Sequence, residues 1–265
     1  MNLTRTGGGR IHFETEGQGP VLLLLHAFPL SSAMWAGQAA MFAATHHVVR
    51  VDARGFGGSG LGTGPLEMDH LADDAAAVLD HLGAQAAIVA GVSMGGYAAF
   101  AFARRHPRRL RALILADTKA APDTEEGRAG RTALARKVEA EGAAAAAEAL
   151  LPKLLGAITH REQPGLVSRV RQWILDASPA AIVHALQGLA ARPDSRGTLG
   201  LVNVPTLVLR GEEDAIASDA EAREMRDGIT GSRQATIPRA GHLSSLEAPG
   251  DFDAAVRAFL DAMAG

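Results

Sequence analysis

The chain has 265 residues, 47% of them hydrophobic, and a formal net charge of −3 with both signs mixed along its length. That is enough for one large domain, or one domain carrying an insertion, and it gives no electrostatic footprint for nucleic acid or an anionic membrane. There is no cysteine, so disulfides and thiolate metal sites are excluded.

The opening MNLTRTGGGRIHFETEG lacks the apolar core of a secretory signal. The longest apolar run near it, VLLLLHAF, is far too short to span a membrane. The expectation is a soluble cytoplasmic protein.

In chain order, RIHFETEG reads as an opening strand ended by the turn-like GQGP. VLLLLHAF is continuously apolar, as a strand covered on both faces should be. HHVVRVDARG is a second such strand and runs into the glycine-rich GFGGSGLGTGP. LEMDHLADDAAAVLDHLG predicts a helix with Leu71, Ala75, Val78, Leu79 and Leu82 on one side. AAIVAGV is a strand, MGGYAAFAFARRHP a helix stopped by Pro107, and RALILAD another strand. The basic run Arg104, Arg105, Arg108, Arg109 and Arg111 falls at a helix end, where cations suit the macrodipole, and reads as solvated.

After Asp117 the rhythm changes. TEEGRAGRTALARKVEAEG, AAAAAEALLPKLLG, PGLVSRVRQWILDA and SPAAIVHALQGLAAR read as successive helices, the last opened by Ser178 as N-cap and Pro179 at the first helical position. Strands return with PTLVLRG and RQATIPRAG, and LEAPGDFDAAVRAFLDAM closes the chain as an amphipathic helix. Alternating strands and helices predict an α/β fold with a mainly parallel sheet covered on both faces. The helix-only block predicts an insertion over residues 120–195 of a core formed by 1–119 and 196–265. In such sheets chemistry belongs at the carboxyl ends of the strands.

One of those ends reads AGVSMGG. Strand, Gly-x-Ser-x-Gly, helix is the context of a nucleophile elbow, with Gly91 and Gly95 giving clearance around a strained Ser93 and Gly96 allowing close helix packing. The Met94 amide, at a helix N-terminus, points at developing negative charge. A serine hydroxyl needs a base. Of ten histidines, His242 in RAGHLSSLEAP stands directly after the last predicted strand and beside a glycine, and is the candidate. The base needs an acid. Asp214, closing LVLRGEED, is favoured because Ser, Asp, His is then the chain order. Glu212, Glu213 and, more seriously, Asp117 at the end of RALILAD are rivals.

HAFP, DARGFGGS, GVSMGG, ILADT, PTLVLRGEED and AGHLSSLEAP, in this order over nearly the whole chain, resemble the α/β-hydrolase superfamily. ADT and HLSSLEAP look like the branch of 3-oxoadipate enol-lactonases and small carboxylesterases; perhydrolases and C–C bond hydrolases share much of the pattern. The resemblance implies a sheet of about eight strands flanked by helices, an all-helical cap, and acyl transfer with neither metal nor organic cofactor. It also implies an oxyanion hole made by the amides of Phe28 and Met94. Ala27 departs from the family's usual glycine, but the donor is a backbone amide.

His26 is expected to be a structural hydrogen-bonding residue, and Asp52 with Arg54 a structural pair. The pocket should lie between sheet and cap, with Phe28, Met94, Leu243, Leu166, Val170 and Trp173 as candidate walls. Arg128, Arg131 and Arg136 are the cations available to a dicarboxylate. The first choice of substrate is a neutral small ester or lactone. A ligand receptor retaining the fold is the alternative from another class.

Overall fold

The computed structural model describes residues 1–4 and 9–264, the last without its side chain. The chain opens with β1 (Asn2–Thr4), β2 (Arg10–Glu16) and β3 (Val21–Leu25). After α1 (Ala36–Phe42) and β4 (His47–Val51) come α2 (Met68–His81), β5 (Ala87–Val92), α3 (Met94–Arg105) and β6 (Leu110–Ala116). Next are five consecutive helices: α4 (Glu125–Glu141), α5 (Ala143–Leu154), α6 (Ala157–Glu162), α7 (Pro164–Asp176) and α8 (Pro179–Ala191). The short α9 (Arg196–Leu199) leads to β7 (Thr206–Gly211), α10 (Asp219–Gly228), β8 (Arg233–Ile237), α11 (Ser244–Glu247) and α12 (Pro249–Ala264).

The eight strands form one sheet in the order β1-β2-β4-β3-β5-β6-β7-β8. β2 runs antiparallel to both its neighbours, and every pair from β4 to β8 is parallel. The composition of the central strands suits the parallel arrangement. All residues of β3 and β5 are buried, so both faces of these strands are covered and no alternation of polar residues interrupts them. α2 turns Leu71, Ala75, Val78 and Leu79 inward, and α3 is buried from Met94 to Ala103. Among the described residues, no single helix is long and apolar enough to cross a membrane.

Several local expectations change. The apolar run at 21–28 leaves the sheet at Leu25, where His26 turns to bond the Ala27 carbonyl and the Ala53 amide of the loop after β4. The final helix starts at Pro249, which suits a first helical position, and the residues before it form the separate turn α11. Ser178 occupies the N-cap position of α8, but its side chain makes no capping bond. The basic run is not merely solvated. Arg104 and Arg105 reach Asp69, Arg105 also reaches Asp73, and Arg109 reaches Asp80, so the end of α3 is laced to α2. Asp52 and Arg54 do not pair with each other. Asp52 accepts from the Ser32 and Gly58 amides at 2.7 and 2.8 Å, whereas Arg54 grips Asp74 at 2.6 and 2.9 Å.

The helices between β6 and β7 leave and rejoin the core at one place. The Ser195 amide donates to the Ala120 carbonyl at 2.9 Å. Arg192 Nη1 lies 2.7 Å from Asp123 Oδ1, Nη2 donates to the Ala121 carbonyl at 3.1 Å, and the guanidinium stacks 4.2 Å from the ring centre of Tyr97 in α3.

Candidate active site

Ser93 joins β5 to α3 with φ 54° and ψ −113°, outside the regions an L-residue prefers. The surroundings hold it there. Its amide donates to the Ala116 carbonyl at 3.0 Å, and Thr118 Oγ1 donates to its carbonyl at 3.0 Å, so β6 clasps the turn. The glycines have separate reasons. A methyl on Gly91 would overlap the Gly95 carbonyl, one on Gly95 the Leu25 carbonyl, and one on Gly96 the Thr118 side chain.

The side chains of Ser93, His242 and Asp214 meet although they come from three distant segments. His242 Nε2 lies 2.7 Å from Ser93 Oγ. Its Nδ1 lies 2.9 Å from each carboxylate oxygen of Asp214. His242 is 1% exposed, while Ser93 is half-buried and within reach of solvent. Asp214 is itself prepared. Its Oδ1 accepts from the Ile216 and Ala217 amides at 2.7 and 3.0 Å.

Burial works against charge on both partners. For Asp214, the charge and hydrogen bond of His242 and the two amides outweigh burial and hold the carboxyl below its ordinary range. For His242, burial is outweighed by Asp214 and then by Asp117 and Glu247, so the imidazole is pushed up.

The rival acids are engaged elsewhere. Asp117 is fully buried with φ 47°. It accepts from the Gly211 amide at 2.8 Å, the Ser244 amide at 3.1 Å and Ser244 Oγ at 2.5 Å. Burial, and then the nearby Asp214 charge, push its pKa up to about 7. Glu212 accepts from the Arg239 amide and Glu213 from the Ile158 amide, both at 3.0 Å.

Met94 follows Ser93 as the first residue of α3, where backbone amides have no partner within the helix. Among the described residues, neither its amide nor that of Phe28 donates to a protein backbone acceptor outside the regular elements. Ala27 is fully buried, and its own amide donates to Met34 Sδ at 3.2 Å. His26 is buried too. Its Nδ1 lies 2.9 Å from the Ala27 carbonyl and its Nε2 accepts from the Ala53 amide at 2.9 Å, with burial pushing its pKa down. These bonds give it a structural part.

Of the other expected pocket residues, Leu243 follows His242 and is enclosed. On α7, Leu166 and Trp173 are half-buried, whereas Val170 has no exposed surface and belongs to the packing between helices. Arg128 donates to the Asp123 carbonyl at 2.6 Å, Arg131 pairs with the Asp123 carboxylate, and Arg136 is exposed. A surface cleft of about 620 Å³ lies at the other end of the sheet, where β6, β7 and β8 begin, lined by Arg111, Val204, Pro205, Arg233 and Phe259 among others. Its lining brings no serine and histidine together.

Comparison with known proteins adds an independent line. The family described as alpha/beta hydrolase fold matches residues 20–249. The 3-oxoadipate enol-lactonase 2 of Acinetobacter baylyi is 27% identical over 252 residues, 94% of this chain and 92% of that protein. Among solved structures, a thermophilic esterase from Thermogutta terrifontis is 40% identical with a TM-score of 0.95, covering 98% of this chain and 97% of the other. The enol-lactonase from Burkholderia xenovorans LB400 is 28% identical with a TM-score of 0.92, covering 98% and 100%.

Proposed function

For this chain, which belongs to the α/β-hydrolase family, we propose the function of a carboxylic ester hydrolase acting on a small ester or lactone through an acyl-enzyme on Ser93. The observation that carries the reading is the unbroken relay Ser93–His242–Asp214, with contacts of 2.7 and 2.9 Å. Kinship with an esterase and with enol-lactonases supports the same class of carbonyl substrate.

His242 Nε2 takes the proton of Ser93 Oγ as the oxygen attacks the carbonyl carbon. Asp214 holds Nδ1–H and stabilises the imidazolium. The carbonyl oxygen gains negative charge opposite the amides of Met94 and Phe28. Collapse of the tetrahedral intermediate breaks the bond to the leaving alkoxide, which receives the proton from His242. Water, deprotonated by the same imidazole, then attacks the acyl carbon, and Ser93 leaves with its proton restored. In a lactone the leaving alkoxide remains part of the acyl group.

The helices of residues 120–195 act as a cap over the carboxyl ends of the strands, with residues 1–119 and 196–265 as the core. Phe28, Met94 and Trp173 are the proposed walls of the acyl site, whereas Leu243, with no exposed surface, stands behind them. A neutral substrate is favoured over a dicarboxylate, because Arg128 and Arg131 are engaged with Asp123 and Arg136 is exposed. The test is labelling by a fluorophosphonate probe together with multiple turnover of p-nitrophenyl acetate. Ser93→Ala should abolish labelling and lower turnover by at least ~10³-fold. Turnover retained in that variant would overturn the assignment.

A further inference from the structure

The loop bearing His242 is anchored from two sides. On the sheet side, Asp117 accepts from Ser244 through both amide and hydroxyl. On the cap side stands Glu247, a buried carboxylate that the chemical steps above do not use. Its Oε1 accepts from the Leu243 amide at 3.0 Å, and its Oε2 accepts from the Gly156 amide at 2.7 Å. Gly156 is the junction between α5 and α6. One carboxylate therefore joins the residue after His242 to the cap, the Glu247–Gly156 bond itself spanning 91 positions of sequence.

Other bonds converge on this seam. Glu213, the neighbour of Asp214, accepts from the Ile158 amide, and Gln163 Nε2 donates to the Glu247 carbonyl at 2.9 Å. The two backbones are nearly in contact. A methyl on Gly241 would overlap the Gly156 nitrogen, and one on Gly156 would overlap the Glu213 carboxylate and lie 3.0 Å from the Gly241 nitrogen. Carboxylates that follow or precede the relay residues thus hold the cap by its backbone amides, a mode that constrains position more tightly than apolar packing.

We infer that Glu247 is a positioning residue that fixes the His242 loop to the α5–α6 junction, so that the alignment of the base depends on how the cap is seated. This rests on the reading of His242 as the base. The groups that face the imidazole are Asp214 after β7, Asp117 after β6, Glu247 in α11 and the neutral Ser93 before α3. All three titratable neighbours are acidic. Removing one of them weakens the imidazolium relative to the neutral ring.

The test uses the full chain with p-nitrophenyl acetate, recording kcat, KM, the pH–rate profile and thermal melting. Glu247→Gln keeps the shape, loses the charge and sets an amide N–H₂ against a backbone N–H. Its kcat should fall about tenfold with KM within about twofold, and its acid limb should move to lower pH. Glu247→Asp retains the charge, so its acid limb should stay at the wild-type pH while its shorter reach lowers kcat. Gly156→Ala disturbs the seam and leaves both Glu247 and His242 chemically intact, so kcat should fall with the limb unmoved. A Glu247→Gln variant with wild-type kcat and acid limb, altered only in melting, would overturn the proposal. If that variant does not fold, Gly156→Ala with wild-type kcat overturns it instead. Failure of the underlying reading is seen separately, as turnover retained in Ser93→Ala, and removes the proposal with it.

Discussion

His242 Nδ1 stands 2.9 Å from both carboxylate oxygens of Asp214. One Nδ1–H thus faces two acceptors, which leaves Nε2 free to accept from Ser93 Oγ. Asp214→Asn presents an N–H₂ group to the same nitrogen and favours the wrong tautomer. The expected result is a fall in kcat of ~10³- to 10⁴-fold with substrate binding little changed, measured by steady-state hydrolysis of p-nitrophenyl acetate.

Asp117→Asn should behave differently. It leaves the His242–Asp214 contact intact, so activity should fall by less than about tenfold. One of the Gly211 and Ser244 donors loses its acceptor, which should cost about 1–3 kcal/mol of stability in denaturant unfolding. The cost should depend on pH. Burial and the nearby Asp214 charge push the folded-state pKa of Asp117 up to about 7, against about 3.9 unfolded. Between those values the folded chain keeps a proton that the unfolded chain has lost, so wild-type Asp117 lowers stability as pH rises. Asparagine removes this slope, and the gap between variant and wild type should narrow from pH 5 to pH 7.

The same environment sets the activity profile. Acidic neighbours push the His242 pKa up against burial, and only the neutral imidazole accepts the serine proton. The acid limb of kcat/KM should therefore have its midpoint above the ordinary histidine value of about 6.5. A flat profile between pH 5 and 8 would argue against a histidine base.

Arg192→Ala tests the stitch where the helices between β6 and β7 rejoin the core. Arg192 and Asp123 are both buried, and removing one member of such a pair leaves an uncompensated charge. The loss should be about 3 kcal/mol, at the low end for a buried pair because Arg131 still meets Asp123. Urea unfolding of the full chain provides the measurement.

Much of the architecture is legible wherever one local rule acts alone. β3 and β5 are readable because burial on both faces demands uninterrupted apolar residues. Ser93 is readable because its turn needs glycines on both sides. β1 is not, since Asn2–Thr4 is a short polar edge whose order comes from pairing with β2. α10 carries a readable signal that the hydrophobic pattern hides, a capping box of Ser218 and Glu221. Pairings are the least legible. Asp52 and Arg54 lie two residues apart in a loop and face different partners, and nothing local links Arg54 to Asp74 or Glu247 to Gly156.

The stitch between Ala120 and Ser195 also bears on how this chain can change. β6 and β7 are neighbours in register, Leu113 beside Thr206, although six helices intervene, five of them, α4 to α8, between Ala120 and Ser195. To the sheet, those helices are a closed loop whose ends already touch. The entropy of closing such a loop rises only logarithmically, about 0.6 kcal/mol for each doubling of its length. Helices can therefore be lengthened, shortened or exchanged within the loop at little cost to the strands beneath, provided Asp123, Arg192 and the seam at Gly156 are kept. The make-up of those helices and the stability of the sheet become separable properties, open to independent engineering.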